Sequence, residues 1–422
     1  MQISSFDFVE NLLVDEDVYK KNRANSDKRE FTNVPRTDCL WNTEQLHSLF
    51  YWAVQELDAS DVELESDSPP YVKYYGRWNM ACRRVLSDID MKMALKDLSG
   101  NPSADSQVES GVPIDFRYQI TVAPGVYRRF RCNATAKTLP DGRNVVSLVM
   151  RAIPYVLPTL KDVGLLPQEV KKYMPHRGLI LISGPMGSGK TTTLAAIIRL
   201  RREAYPYESF GTYEDPVEFD YSACKGTGPL WQIELNSGLR DMRDVARNMA
   251  RRSPNVILIG ESRDPASFQA VIDGANMGCA LYTTLHANSV ADTISRIINV
   301  MPPERQLALM ATLIDFSRYW VHQRLLTGTP DENGRPRRIP LRESLEFDET
   351  MKRELLLLSS VPLVMCRIHE FVNEYGRTLL QEATEKYEAG LLHEDSLIMI
   401  QEEFKDREKM IKMTKERVTN HG

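Results

Sequence analysis

The chain has 422 residues, 42% of them apolar, and 53 basic against 58 acidic side chains leave a net charge of -5. At about 150 residues per domain, that length predicts two to three domains, each able to bury its own core. The charge balance argues against a dedicated duplex-DNA binder, which needs concentrated Lys and Arg against the phosphates, while leaving room for a local basic groove.

The opening "MQISSFDFVENLLVDEDVYKK" is acidic and lacks the basic start and long apolar stretch of a secretory signal, so the expectation is a cytoplasmic protein. The longest apolar windows, 355–365 and 178–183, fall well short of the roughly 20 residues that span a bilayer. Any membrane association would then go through partners. Residues 1–43 are polar and weakly patterned and read as a flexible extension. From Thr43, Leu46, Leu49, Phe50, Ala53, Val54 and Leu57 recur at helical spacing, followed by a turn at Ser60-Asp61 and a strand. Short alternating strands follow in "PPYVKYYGRWN", "IDFRYQITVA", "YRRFRCNATA" and "NVVSLVMRAI", which predicts a small α+β domain over 44–153. Pro154, Pro158 and Pro167 place a linker at 154–167, because proline fits neither helix interiors nor central strands.

Beyond the linker, apolar strands and helices alternate: "GLILISGP", helix 190–203, "SFGTYEDP", helix 240–252, "NVILIGE", helix 265–276 and "CALYTTLH". That alternation predicts a parallel sheet covered on both faces over 168–343. From Ser344 the chain reads mainly as helices. The six cysteines are at least 40 residues apart, so no CxxC pair exists to hold zinc, and they read as reduced thiols.

The stretch "LISGPMGSGKT" contains Gly184, Gly187, Ser188, Gly189, Lys190, Thr191 and Thr192 in or beside a G-x-x-x-x-G-K-T pattern. Glycines there let backbone N–H groups wrap a polyphosphate, and the following helix N-terminus adds partial positive charge. Lys190 would reach the β- and γ-phosphates of ATP, and the Thr191 hydroxyl would be a Mg²⁺ ligand. Hydrolysis needs in addition a carboxylate placed to handle water or metal. "NVILIGESRD" offers Glu261 at the C-terminal edge of a buried strand, either as that group or as a surface acid. "TYEDPVEFD" gathers Glu214, Asp215, Glu218 and Asp220 after another strand, where they read either as solvated loop acids or, for Glu214, as part of the phosphate site. "LYTTLHANS" ends a further strand with Thr283, Thr284, His286 and Asn288, and His286 reads as either a structural residue or a γ-phosphate sensor. On a strand, Arg129 and Arg131 share one face, which is either a solvated basic face or one that meets a phosphate.

The order of these motifs resembles the Walker A motif, Asp box, atypical Walker B motif and His box of the secretion-superfamily hexameric ATPases, which include the pilus-retraction motor PilT. The likeness runs from about residue 44 to 410, taking in "LDASDVEL", "RRFRCN", "MRAIPYVLPTLKDVGL" and, as C-terminal subdomain, "YWVHQRLL" and "GRPRRIPLRESLEFD". It implies an α/β protein with a PAS-like N-terminal domain, a RecA-like P-loop core, a helical C-terminal subdomain (344–422), a homo-hexameric ring and ATP hydrolysis. The N-terminal extension, the insertion "LSGNPSADSQVESG" and the wording "YVKYYGRW" look most like the Dot/Icm and conjugative-transfer branch typified by DotB and TraJ.

Carried over, Gly189, Lys190, Thr191 and Thr192 match the phosphate loop, Glu214 the Asp-box glutamate, Glu261 the Walker B glutamate and His286 the His-box histidine. Arg129, Arg131 and Arg151 match arginines that approach nucleotide from the first domain. The chain departs at Asn255, where relatives usually have Asp, and at Met277-Gly278-Cys279, where many have T-G-H, so a second His-mediated contact is not expected. The implied role is an ATP-driven motor of a type IVB secretion or conjugation apparatus, docked on inner-membrane proteins without binding nucleic acid directly. A pilus-retraction motor and a non-hydrolysing nucleotide-dependent scaffold are the alternatives.

Overall fold

The computed structural model describes residues 32–35, 39–74, 77–124, 126–153, 156–235, 239, 242–330 and 337–421. Most of the extension expected over 1–43 lies outside these residues. The chain divides into two compact units between Val156 and Leu157, within the segment read as linker.

The first unit begins with α1 (Thr43–Tyr51), started by a capping box between Asn42 and Gln45 and continued by one π-helical turn, Trp52–Glu56. Then come β1 (Asp61–Glu65), β2 (Tyr71–Tyr74), β3 (Arg77–Met80), α2 (Asp88–Ser99), α3 (Ala104–Glu109), β4 (Ile114–Ala123), β5 (Val126–Thr138) and β6 (Asn144–Ala152). The strands form an antiparallel sheet in the order β3-β2-β1-β6-β5-β4. One face carries Val62, Phe130, Cys132, Leu148 and Met150 onto Leu49, Phe50, Met91 and Leu95 of the helices, giving the α+β core. The helix α2 was not anticipated from sequence. Its start is fixed by Ser87 and Asp90, and Asp90 also accepts the Trp41 backbone N–H at 2.7 Å.

The second unit contains α4 (Pro167–Val170), β7 (Gly178–Ser183), α5 (Lys190–Ala204), β8 (Phe210–Glu214), β9 (Leu230–Glu234), α6 (Arg243–Arg252), β10 (Val256–Glu261), α7 (Pro265–Asn276) and β11 (Ala280–Leu285). It continues with α8 (Val290–Ile298), α9 (Pro303–Phe316), β12 (Ser317–Gly328), β13 (Arg337–Glu346), α10 (Glu349–Leu356), α11 (Val361–Tyr375), α12 (Leu379–Glu388) and α13 (Glu394–His421). The sheet order is β13-β12-β7-β11-β10-β8-β9, parallel throughout except for the edge strand β13. Successive residues of each central strand feed opposite cores: Leu179, Leu181, Ile257, Ile259 and Leu281 on one side, Ile180, Ile182, Val256, Leu258 and Tyr282 on the other. Burial on both faces is why these strands are continuous apolar runs.

Two strands of this sheet depart from the expected layout. "YWVHQRLL" and "GRPRRIPLRESLEFD" supply β12, which pairs with β7, and β13, which pairs with β12, rather than joining a separate helical part, and β13 carries the sheet past Ser344 to Glu346. The driving force is burial: Tyr319, Trp320 and Val321 are at most 5% exposed, with Trp320 and Tyr319 packed into opposite cores. Among the described residues no helix is long and apolar enough to cross a membrane.

Candidate functional site

The C-terminal ends of β7, β8, β10 and β11 lie along one edge of the parallel sheet, the edge at which open α/β sheets bind ligands. The loop 184–189 leaves β7 there and enters α5, a 15-residue helix whose first residues are Lys190, Thr191 and Thr192. Its glycines answer to two different demands. Gly187 has φ +73°, a conformation that L side chains rarely adopt, with open space around it. At Gly184 (φ +150°) a Cβ would sit 2.1 Å from the Gln323 carbonyl oxygen, and at Gly189 (φ +81°) 3.1 Å from Gln323 Nε2. The loop is therefore laid against β12 at both ends.

Lys190 is 8% exposed, and Nζ donates to the carbonyls of Gly184 at 2.9 Å and Pro185 at 3.0 Å. Burial pulls its pKa down, partly offset by the nearby Glu261 and Glu218 carboxylates. A buried ammonium held mainly by carbonyls is suited to receiving an anion, which would restore the charged form's stabilisation. His286, just beyond β11, places Nδ1 3.0 Å from the Gly184 carbonyl and 3.4 Å from Lys190 Nζ, and Nε2 3.2 Å from Glu261 Oε1. The ring thus stands between the loop carbonyl and the Glu261 carboxylate. Glu261 follows a register shift in β10 at Gly260, which turns it to the edge with a half-open carboxylate.

Glu214, at the end of β8, is 3% exposed and packs against Gly260, where a Cβ would come 3.1 Å from its Cγ. Burial pushes its carboxyl up to about 7, and Oε1 has no hydrogen-bond partner. Two other acids of that motif, Asp215 and Asp220, are held locally. Asp215 lies 3.4 Å from Arg263, and Asp220 accepts from the Ser222 N–H at 3.0 Å. Thr284 donates to the Gly260 carbonyl at 2.7 Å and Thr283 meets Ser262 at 2.9 Å, so the threonines fasten β11 to the end of β10. Asn255 holds the Ser209 N–H at 2.9 Å before β10 begins. Thr191 is half-buried and Thr192 exposed, at the helix start.

Lys190, His286, Glu261 and Gly184 are thus brought into direct contact, with Glu214 beside the bulge. Arg129, Arg131 and Arg151 stand together on the sheet of the first unit. Arg131 faces Arg151 on β6 and Arg117 on β4 across the strands, and all three are exposed while their strand neighbours Phe130, Cys132 and Met150 are buried. Arg151 pairs with Asp61 at 2.9 Å.

Three contributors were missed from sequence. Gln323 Nε2 donates to the Ser188 carbonyl at 2.6 Å, Arg338 donates to the Gly187 carbonyl at 3.1 Å, and Arg342 donates to Gln323 Oε1 at 2.9 Å. The available signal was weak: a His-Gln-Arg run inside the otherwise apolar "YWVHQRLL". His322 beside it is 1% exposed, and burial pulls its ring down to about 3, so it stays neutral.

A glycine loop between β7 and α5, with the His286 strand standing between the loop strand and the Glu261 strand, defines a RecA-like P-loop core. Residues 80–420 match the family described as Type II/IV secretion system protein, and the chain belongs to that family. The type IV pilus retraction ATPase PilT of Pseudomonas aeruginosa is 30% identical over 270 residues, 64% of this chain and 74% of PilT. The solved structure of the Legionella pneumophila ATPase DotB matches with a TM-score of 0.73 at 29% identity, over 87% of this chain and 99% of DotB. The pilus retraction motor PilT with bound ADP gives 0.71 at 25% identity, over 84% and 96%.

Proposed function

We infer that the chain hydrolyses ATP and works as a motor subunit of a type IVB secretion or conjugative DNA-transfer apparatus. The observation that carries the ATPase reading is the contact set Gly184–Lys190–His286–Glu261 at the C-terminal edge of the sheet. Gly187, Ser188 and Gly189 would offer backbone N–H groups to the phosphates, and Lys190 would exchange its two carbonyls for phosphate oxygens. Mg²⁺, bound with the nucleotide, would neutralise phosphate charge, and the Thr191 hydroxyl is its protein ligand in this reading.

Glu261 would accept the proton of the attacking water. His286 ties that carboxylate to the Gly184 carbonyl, so a change at the loop reaches the base through one ring. Glu214, only partly ionised near pH 7, sits against the same bulge and would keep Glu261 turned to the edge without adding a second full negative charge. Arg129, Arg131 and Arg151 would meet the phosphates of a nucleotide held by a neighbouring copy. Such borrowing requires a closed head-to-tail ring, six subunits by resemblance. Docking on inner-membrane proteins from the cytoplasmic side completes the proposal. The match to nearly the whole of DotB favours the secretion and conjugation reading. The similarity to PilT supports a second reading with the same chemistry, pilus retraction.

The test is phosphate release by the purified chain. Glu261→Gln should bind ATP as the wild type does and turn it over about 10²–10⁴-fold more slowly, the usual worth of a positioned base. Unchanged turnover in that variant removes Glu261 as the base, and no turnover in the wild type favours the scaffold.

A further inference from the structure

Gln323 is 2% exposed, and its amide can meet the phosphate loop with either end. What decides is the other end. Oε1 accepts from the Thr193 hydroxyl at 2.9 Å and from Nε of Arg342 at 2.9 Å. A guanidinium only donates, so Arg342 admits one orientation: oxygen towards Arg342 and NH2 towards the Ser188 carbonyl. Thr193 alone would not enforce this, because a hydroxyl can turn and accept. The flipped amide would set its oxygen against the Ser188 oxygen.

Arg342 reaches further. It is 4% exposed, and while Nε holds Gln323, Nη1 donates to the Gly164 carbonyl at 3.2 Å and Nη2 to the Val163 carbonyl. These carbonyls belong to a turn, 159–165, closed by Thr159 N–H to Asp162 at 2.8 Å and by Leu165 N–H to the Leu160 carbonyl at 2.9 Å. That turn begins two residues into the second unit, directly after the junction at Val156/Leu157. One planar, rigid group therefore joins the start of this unit to the amide that grips the phosphate loop. A buried guanidinium with each of its three nitrogens donating to one of these acceptors is more specific than packing requires.

We propose that Arg342 and Gln323 form a positioning relay by which the 159–165 turn sets the shape of the phosphate loop, and with it the affinity for nucleotide phosphates. The relay rests on the loop being a nucleotide site. Neither residue touches the reacting atoms. Both act through the Ser188 carbonyl, and the glycines at 184 and 189 leave room for Gln323 to do so.

The experiment uses the full chain with Arg342→Met, Gln323→Met and the double variant, titrated with a fluorescent ADP analogue. Each single change should weaken binding about tenfold, the worth of roughly one buried hydrogen bond. The double variant should be no weaker than Gln323→Met, since Arg342 acts through Gln323. Amide exchange at 186–190 should quicken in Arg342→Met while that of β5 stays unchanged. Wild-type affinity with unchanged exchange, or losses that add fully in the double variant, would overturn the relay. If Arg342→Met does not fold, Gln323→Glu decides: it keeps an acceptor for Arg342 but sets an oxygen against Ser188, and undiminished affinity would refute the relay. A wild type that binds no ADP analogue would instead sink the nucleotide reading, and the exchange experiment would still report on the relay.

Discussion

The two sheets hold their charged groups in opposite ways. At the C-terminal edge of the parallel sheet Lys190 and Glu214 are 8% and 3% exposed, each shifted by burial towards its neutral form. On the antiparallel sheet Arg117, Arg131 and Arg151 stand in one exposed row, with Arg151 paired to the Asp61 carboxylate. Burial disfavours the charged forms of the first set. Like charges directly opposite one another repel, so the row concentrates positive charge on that exposed face. In the proposed ring, the cost of the first set falls on folding, whereas the energy of the second would appear on assembly.

Altering one member of each set should sharpen this contrast. The larger effect is expected at Glu214. Its folded pKa, about 7, exceeds the ordinary 4.5, so the native state holds the proton more tightly than the unfolded chain. The burial cost is therefore absent below about 4.5, grows as pH rises, and is complete above about 7. Glu214→Gln should stabilise the protein at pH 8 by about 1–3 kcal/mol and close that gap near pH 4.5, followed by urea unfolding at both pH values. A gap independent of pH would mean that Glu214 is ionised in the folded state.

The smaller effect is at Arg131. Arg131→Ala removes an exposed cation from between two others, and stability should change by no more than about 0.5 kcal/mol. A loss of several kcal/mol in the melting analysis would show that the arginine row is structural and would break the contrast.

These differences also explain what could be read in the sequence. The phosphate loop is contiguous, so its glycines, Lys190 and Thr191 are legible together. Glu261 and His286 were legible because each follows an apolar strand whose end must lie at the ligand edge. Alternation with period two put Arg129 and Arg131 on one face, but Arg117 and Arg151 join that face only through strand register, which no local pattern encodes. Gln323 was invisible for the same reason: it lies 135 residues from the Ser188 carbonyl it holds. "YWVHQRLL" and "GRPRRIPLRESLEFD" go to the C-terminal subdomain on family resemblance alone, since no local pattern shows which strands they pair with. The place of β12 beside β7 is decided by tertiary packing of Tyr319 and Trp320, and β13 follows by pairing with β12. The burial of Glu214 was equally hidden, since the bulge at Gly260 that covers it belongs to a strand more than 40 residues away.

The central claim is that the loop from Gly184 to Thr191 binds nucleotide phosphate through Lys190. The direct measurement is equilibrium titration of the purified chain with a fluorescent ATP analogue and Mg²⁺, wild type beside Lys190→Ala. The wild type should saturate, and the variant should bind at least about tenfold more weakly, as expected for losing a charge-assisted contact to phosphate. Equal affinities in two equally folded proteins would contradict the account.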